Sequence, residues 1–182
     1  MASSRRWLAG FALTEPRGGS HPAELSTRAV RTTTAQGEVY RIDGVKHFIS
    51  NAGKAQFLVV FAKTDPAAGA RGVSAFIVPT STPGVHVSSP EKLMGIRGGH
   101  AFEVSFDAVD IPLDHRLGAE GTGFKTAMKG LDNSRLDVAA TSLGIAEAAL
   151  GAAVQWAKTR QIGGEPLSGK QGIQWMLADM KL

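Results

Sequence analysis

The sequence has 182 residues, 43% of them hydrophobic and 20% charged, with a formal net charge of +4. That composition excludes a disordered tail, and the length holds one domain or one domain and part of another. Cysteine is absent, so disulfides and thiolate metal sites are excluded, and acids and bases interleave without the Lys/Arg run of a nucleic-acid partner.

At the start, MASSRRWLAGFAL sets two arginines before an apolar run, as an export signal does. The run stops at Thr14-Glu15-Pro16 with no small-residue cleavage site after it, and no other segment approaches a membrane-spanning length. No membrane span and a cytoplasmic location are therefore expected. FALTEPRGGSH (11–21) reads as a strand ending in a tight turn. EVYRIDGVKHFIS (38–50) reads as two alternating strands around Asp43-Gly44, a pair suited to a two-residue type I′ hairpin. AQFLVVFAKTD (55–65) and GVSAFIVPTS (72–81) have the character of buried strands. HAFEVSFDAVDIP (100–112) alternates, placing Phe102, Val104 and Phe106 on one face, and ends at a proline. Strands at this spacing, without intervening helices, predict an antiparallel barrel or sandwich.

Near residue 116 the periodicity turns helical. GTGFKTAMKGL (121–131) predicts a short helix. From Asn133, a candidate N-cap, Val138, Ser142, Ile145, Ala149, Ala153 and Trp156 recur at three- and four-residue steps, predicting a long helix that ends near Arg160. Gly163, Gly164 and Pro166 break it, and QGIQWMLADMKL (171–182) opens another, with Ile173, Met176, Leu177 and Met180 on one side. The fold class is α+β: an antiparallel β-barrel or sandwich domain over 1–116, then an incomplete helical-bundle segment over 117–182. The apolar face of the long alanine-rich helix has too few partner helices, which marks an incomplete bundle or an oligomer interface.

Isolated motifs carry little. GEPLSGKQ (164–171) nearly spells a phosphate-binding loop, but Gln171 stands where Ser or Thr would hold magnesium, and a helix rather than a strand precedes it. GAEGTG (118–123) has the wrong glycine order for a dinucleotide fingerprint and reads as a helix-entry loop. No nucleophile elbow occurs. The histidines, His21, His47, His86, His100 and His115, include no i, i+4 pair, so no metal is expected.

Five segments in linear order are more specific: FALTEPRGGSH, DGVKHFISNA, MGIRGGHAFEVSFDAVDIP, LGAEGTGFKTAMKGLDNSRLDVAA and QGIQWMLADM. Together they resemble the acyl-CoA dehydrogenase family of flavoenzymes, from about Trp7 to Leu182. The resemblance implies that 1–116 are the family's middle β-domain and that 117–182 are the first helices of its C-terminal domain. The N-terminal helical domain is then missing, and a truncated chain is expected. It also implies FAD as cofactor, an acyl-CoA substrate, an electron-transfer flavoprotein as electron acceptor, and a homo-oligomer, dimer or tetramer.

Residue by residue, the resemblance places Phe11, Leu13 and Thr14 along the flavin, with Phe48 and Ser50 beside it. Gly19 would allow a close backbone approach, and Ser20 would meet the FAD pyrophosphate or the acyl-CoA chain. Asp132 and Arg135 match contacts to the CoA portion. Taken alone, they read as a helix cap and a solvated ion pair. Arg160 and Gln171 match positions that reach the FAD of a neighbouring subunit. Two positions depart from the family pattern: His21 stands where an aspartate is usual, and Gly163-Gly164 where Phe-Gly is common. The family removes the α-proton of a thioester with a carboxylate, placed late in the C-terminal domain or, in some members, at the position of Ser134. A serine cannot serve as that base, so no catalytic base is assigned. Glu15, beside Pro16, suits a turn role. Three readings stay open: the flavin- and substrate-binding portion of an α,β-desaturating dehydrogenase, a non-catalytic or oligomerising remnant of one, and an acyl-CoA oxidase or flavin monooxygenase relative.

Overall fold

The computed structural model describes residues 7–35 and 37–182. Arg5 and Arg6, the basic start weighed as an export signal, lie outside them. The chain forms two compact units, residues 1–129 and 130–182.

The first unit is built on β1 (Ala9–Ala12), β2 (Arg28–Thr34), β3 (Gly37–Ser50), β4 (Phe57–Lys63), β5 (Val73–Pro79), β6 (Val85–Val87), β7 (Ala101–Pro112) and β8 (Arg116–Leu117). The sheet runs β6-β7-β3-β2-β4-β5-β8, with β1 added on β4. Its end strands β6 and β8 do not pair, so the barrel half of the expectation gives way to an open sheet. Nor is the sheet wholly antiparallel, because β1 pairs parallel with β4 and β2 meets β4 in parallel at Arg28–Lys63. β2 carries no clear apolar alternation, since only Ala29 of its first four residues is buried.

The core gathers Tyr40, Ile42, Leu58, Val60, Phe76 and Val78 with Phe102, Val104 and Phe106. The predicted face of β7 is therefore the buried one. Asp43-Gly44 is no hairpin turn: β3 is a single 14-residue strand. The ladder to β7 slips there instead, Ile42 pairing with Val109 and Gly44 with Phe106, so that β7 holds the extra residue of a β-bulge. The bulge seats Ala108 at φ 47°, and its amide donates to Asp43 Oδ1 at 2.8 Å. Gly44 is required by space, because a Cβ would lie 2.6 Å from Thr27 Oγ1.

Helix α1 (Gly123–Thr159) starts in the first unit and continues through the second. The predicted break before Asn133 does not occur; Asn133 lies inside one 37-residue helix. GAEGTG is the helix-entry loop expected, and α1 ends one residue before Arg160. The run-together helix is long and apolar enough, by length and composition, to cross a bilayer, with a mean hydropathy of 1.3 over 18 residues. That corrects the expectation that no segment reaches such a length. The second unit continues with the hairpin β9 (Gln161–Ile162) and β10 (Glu165–Pro166), then α2 (Gln171–Lys181). Gly163 and Gly164 turn the hairpin with φ of 65° and 83°, the left-handed pair that a type I′ turn demands. GEPLSGKQ thus follows the short strand β9 and not a helix as expected, but it is a hairpin arm and a short 3₁₀ turn leading into α2, not a phosphate loop.

Candidate functional site

In the first unit, β1 delivers Leu13 and Thr14 to the end of β3. The His47 amide donates to the Thr14 carbonyl at 2.8 Å. Gly10 makes this close approach possible, since a Cβ there would lie 2.6 Å from Leu58 Cδ2 and 3.3 Å from Ile49 Cγ2. The chain then reverses: the Gly18 amide donates to the Glu15 carbonyl at 3.0 Å, and Pro16 presets the backbone of the turn.

On the facing strand, the ladder slips a second time. Lys46 pairs with Val104 and Ile49 with Phe102, so here β3 holds the extra residue. Phe48 takes φ 56°, a conformation that costs a bulky residue about 1–3 kcal/mol. The bulge turns its ring outward, 54% exposed, against the His47 imidazole at 4.1 Å and 16° between planes. His47 Nε2 lies 3.0 Å from Glu91 Oε1. A strained backbone thus presents a half-bare aromatic ring one residue beyond the amide that bonds Thr14.

Beneath this face lies a charge pair that the sequence reading did not single out. Lys46, fully buried, donates from Nζ to Glu15 Oε1 at 2.9 Å and to the Leu13 carbonyl at 3.1 Å. Glu15 also accepts from Ser26 and Thr27. Burial by itself raises the Glu15 carboxyl, but the Lys46 charge and the Ser26, Thr27 and Lys46 hydrogen bonds outweigh it and hold the group at about 2. Burial pushes the Lys46 ammonium down, against the pull of Glu15. A signal existed: Tyr40, Ile42 and Lys46 share the core row of β3, and a lysine in such a row needs a buried acid. Glu15 does sit in a turn, as its proline neighbour implied, but its side chain is an interior anchor.

The structure brings Leu13, Thr14 and Gly19 together, and the Thr14 carbonyl accepts from His47, the residue before Phe48. Gly19 packs on Thr14, where a Cβ would lie 3.1 Å from Thr14 Cγ2. Leu13 is buried, Thr14 half-buried, and the Thr14 hydroxyl has no protein hydrogen-bond partner among the described residues. Ser20 and Ser50 are exposed, and Phe11 is 41% exposed with its ring 4.9 Å from that of Phe61. His21 lies in solvent, 3.7 Å from Glu24. An exposed apolar ring and a hydroxyl without a partner among the described residues, on two segments joined by the His47–Thr14 bond, suit a flat ligand with a polar edge.

The second unit holds the remaining predicted residues. Asp132 and Arg135 are exposed on α1, 3.9 Å apart, a solvated pair of little energetic weight. Ser134 donates from Oγ to the Leu131 carbonyl at 2.9 Å, inside its own helix. Arg160 directly precedes the β9–β10 hairpin, its carbonyl accepting from the Leu167 amide at 2.7 Å, and Gln171 opens α2 beyond the 3₁₀ turn that follows the hairpin.

Residues 10–109 match the family profile described as acyl-CoA dehydrogenase, middle domain, and residues 121–182 that of the acyl-CoA dehydrogenase C-terminal domain. Among curated relatives, an acryloyl-CoA reductase (NADH) of Anaerotignum propionicum is 43% identical over 95% of this chain and 43% of its own. An acyl-CoA dehydrogenase of Bacillus subtilis is 44% identical over 95% of this chain and 45% of its own. The butyryl-CoA dehydrogenase structure from Megasphaera elsdenii superposes with a TM-score of 0.90 at 43% identity, over 96% of this chain and 45% of that one. The chain spans under half the length of the relatives it matches.

Proposed function

This chain belongs to the acyl-CoA dehydrogenase family, and from that premise we propose that Leu13, Thr14, Gly19 and Phe48 form the wall against which FAD rests in an acyl-CoA desaturating enzyme. The observation that carries the proposal is Phe48, an aromatic ring held half-bare on a strained backbone next to His47, whose amide holds the Thr14 carbonyl. Bound flavin would supply acceptance of the β-hydride. Thr14 would donate its hydroxyl to the polar edge of the ring system, where a donor favours the charge of the reduced state. Phe48 would cover the ring face and exclude water. Ser20 and Ser50, both exposed, are free to bond the rest of the cofactor or the acyl chain.

Residues 1–116 are proposed as the middle β-domain and 117–182 as part of the helical one. Asp132 and Arg135 are proposed to contact CoA, and Arg160 and Gln171 the FAD of a second copy in a homo-oligomer. An electron-transfer flavoprotein is the proposed acceptor. No base is assigned: Glu15 has both oxygens engaged, and Ser134 cannot take a proton from carbon.

The test is absorbance of the purified chain titrated with FAD, then with acyl-CoA under anaerobic conditions. Uptake of yellow flavin is the expected result, bleaching by acyl-CoA would add desaturation by this chain, and a colourless protein overturns the reading. A second reading, flavin binding without turnover, is favoured because both Glu15 oxygens are engaged and Ser134 is no base. Uptake without bleaching would select it.

A further inference from the structure

The function proposed above uses neither charge of the Glu15–Lys46 pair, yet both lie directly behind Thr14. Their bonds fall on separate segments. Glu15 Oε1 accepts from the Thr27 amide at 2.9 Å, the Thr27 hydroxyl at 2.6 Å and Lys46 Nζ at 2.9 Å. Oε2 accepts from the Ser26 amide and hydroxyl, each at 2.6 Å. Lys46 Nζ then reaches the carbonyl of Leu13, the residue before Thr14, at 3.1 Å. Lys46 itself stands two residues before Phe48, on the near side of the bulge.

Two plainer roles fit poorly. As an acid or base, Glu15 is 5% exposed and offers no oxygen without a donor already on it. As a stabiliser, a buried ion pair is a weak device, because a well-packed apolar pair is often as stable or more so. An apolar pair cannot, however, hold one particular backbone carbonyl in place.

We infer that Glu15 and Lys46 are positioning residues: Lys46, anchored through Glu15 to Ser26 and Thr27, tethers the Leu13 carbonyl and so fixes Thr14 against the Phe48 bulge in the arrangement that receives the flavin. The inference rests on the flavin reading given above.

The experiment compares the full chain with its E15L/K46M variant, which removes both charges and keeps apolar volume. The first readout needs no flavin: hydrogen exchange of the His47 amide, which donates to the Thr14 carbonyl. The second is FAD affinity by quenching of flavin fluorescence. The variant is expected to fold, to exchange the His47 amide about tenfold faster, and to bind FAD about tenfold more weakly. Unchanged protection and affinity in the variant, with normal FAD uptake by the parent chain, overturns the inference alone. No FAD uptake by the parent chain overturns the flavin reading and this role with it. Should E15L/K46M not fold, Thr27→Val removes one donor to Glu15 and keeps both charges. A shift of about fivefold in both readouts then supports the tether, and no shift overturns it.

Discussion

Lys46 occupies the row of β3 that Tyr40 and Ile42 fill with apolar bulk, and its charge is tolerated only because Glu15 meets it. Replacing Lys46 alone by methionine leaves a buried carboxylate without its cation. The expected loss is about 3–5 kcal/mol in urea unfolding, against a much smaller change for the E15L/K46M double variant. The same pair sets an acid response. Glu15 in the folded chain titrates at about 2 rather than its ordinary 4.5, so the folded state resists taking up that proton. Its contribution to stability is complete above pH 4.5 and drains away as pH falls toward 2. Urea midpoints should drop steeply across that window in the parent chain and less steeply in Glu15→Gln. Single residues of the site were unevenly legible in the sequence. Thr14 and Phe48 could be named because their motifs are distinctive. Glu15 and Lys46 are 31 positions apart, and only the fold makes their pairing visible.

Strands and helices were easier to recognise than their interruptions. The alternation in 100–112 marked a strand with one buried face, and its buried row is the expected one. Asp43-Gly44 pointed to a turn because that dipeptide favours positive φ, and Gly44 does take φ 149°. The same property serves a close approach to Thr27 within an unbroken strand. Asn133 looked like a helix cap for a similar reason, but a cap signal does not end a helix whose neighbours on both sides favour continuing. At this scale the bulge at Phe48 is the element to test. Because the ring is half exposed, Phe48→Ala should cost less than about 1 kcal/mol in urea unfolding. The same variant should weaken FAD binding measurably in a flavin-fluorescence titration. A matching loss of stability and affinity would mean that the ring serves packing instead.

For the molecule as a whole, the helical unit leaves much apolar surface open. Leu136 and Leu143 are 75% and 70% exposed, and Val138 and Ile145 are each 66% exposed. Each pair is seven residues apart, so two apolar lines run along α1. The expected consequence is concentration-dependent association in sedimentation velocity. Leu143→Glu should weaken it about tenfold, the worth of one buried leucine. The order of segments along the chain was enough to assign the family, because five spaced motifs constrain one another. The mixed sheet was not legible, since β1 gives no sign of running parallel to β4 rather than against it.

The two slips between β3 and β7 also offset each other in numbering. β7 gains a residue near Ala108, and β3 gains one near Phe48, so the partner numbering shifts by one and then returns. The ladder is therefore in phase at both ends and out of phase only in the middle. Deleting Phe48 would leave Lys46 and Ile49 two positions apart, as their partners Val104 and Phe102 are, so every pair beyond it would keep its partner and its face. Deleting Ala108 would likewise leave Ile42–Val109 and Gly44–Phe106 two positions apart on both strands, with no pair displaced. Each bulge is thus a one-residue insertion that the ladder absorbs locally, and the Phe48 ring is carried by a residue that the pairing of these strands does not need.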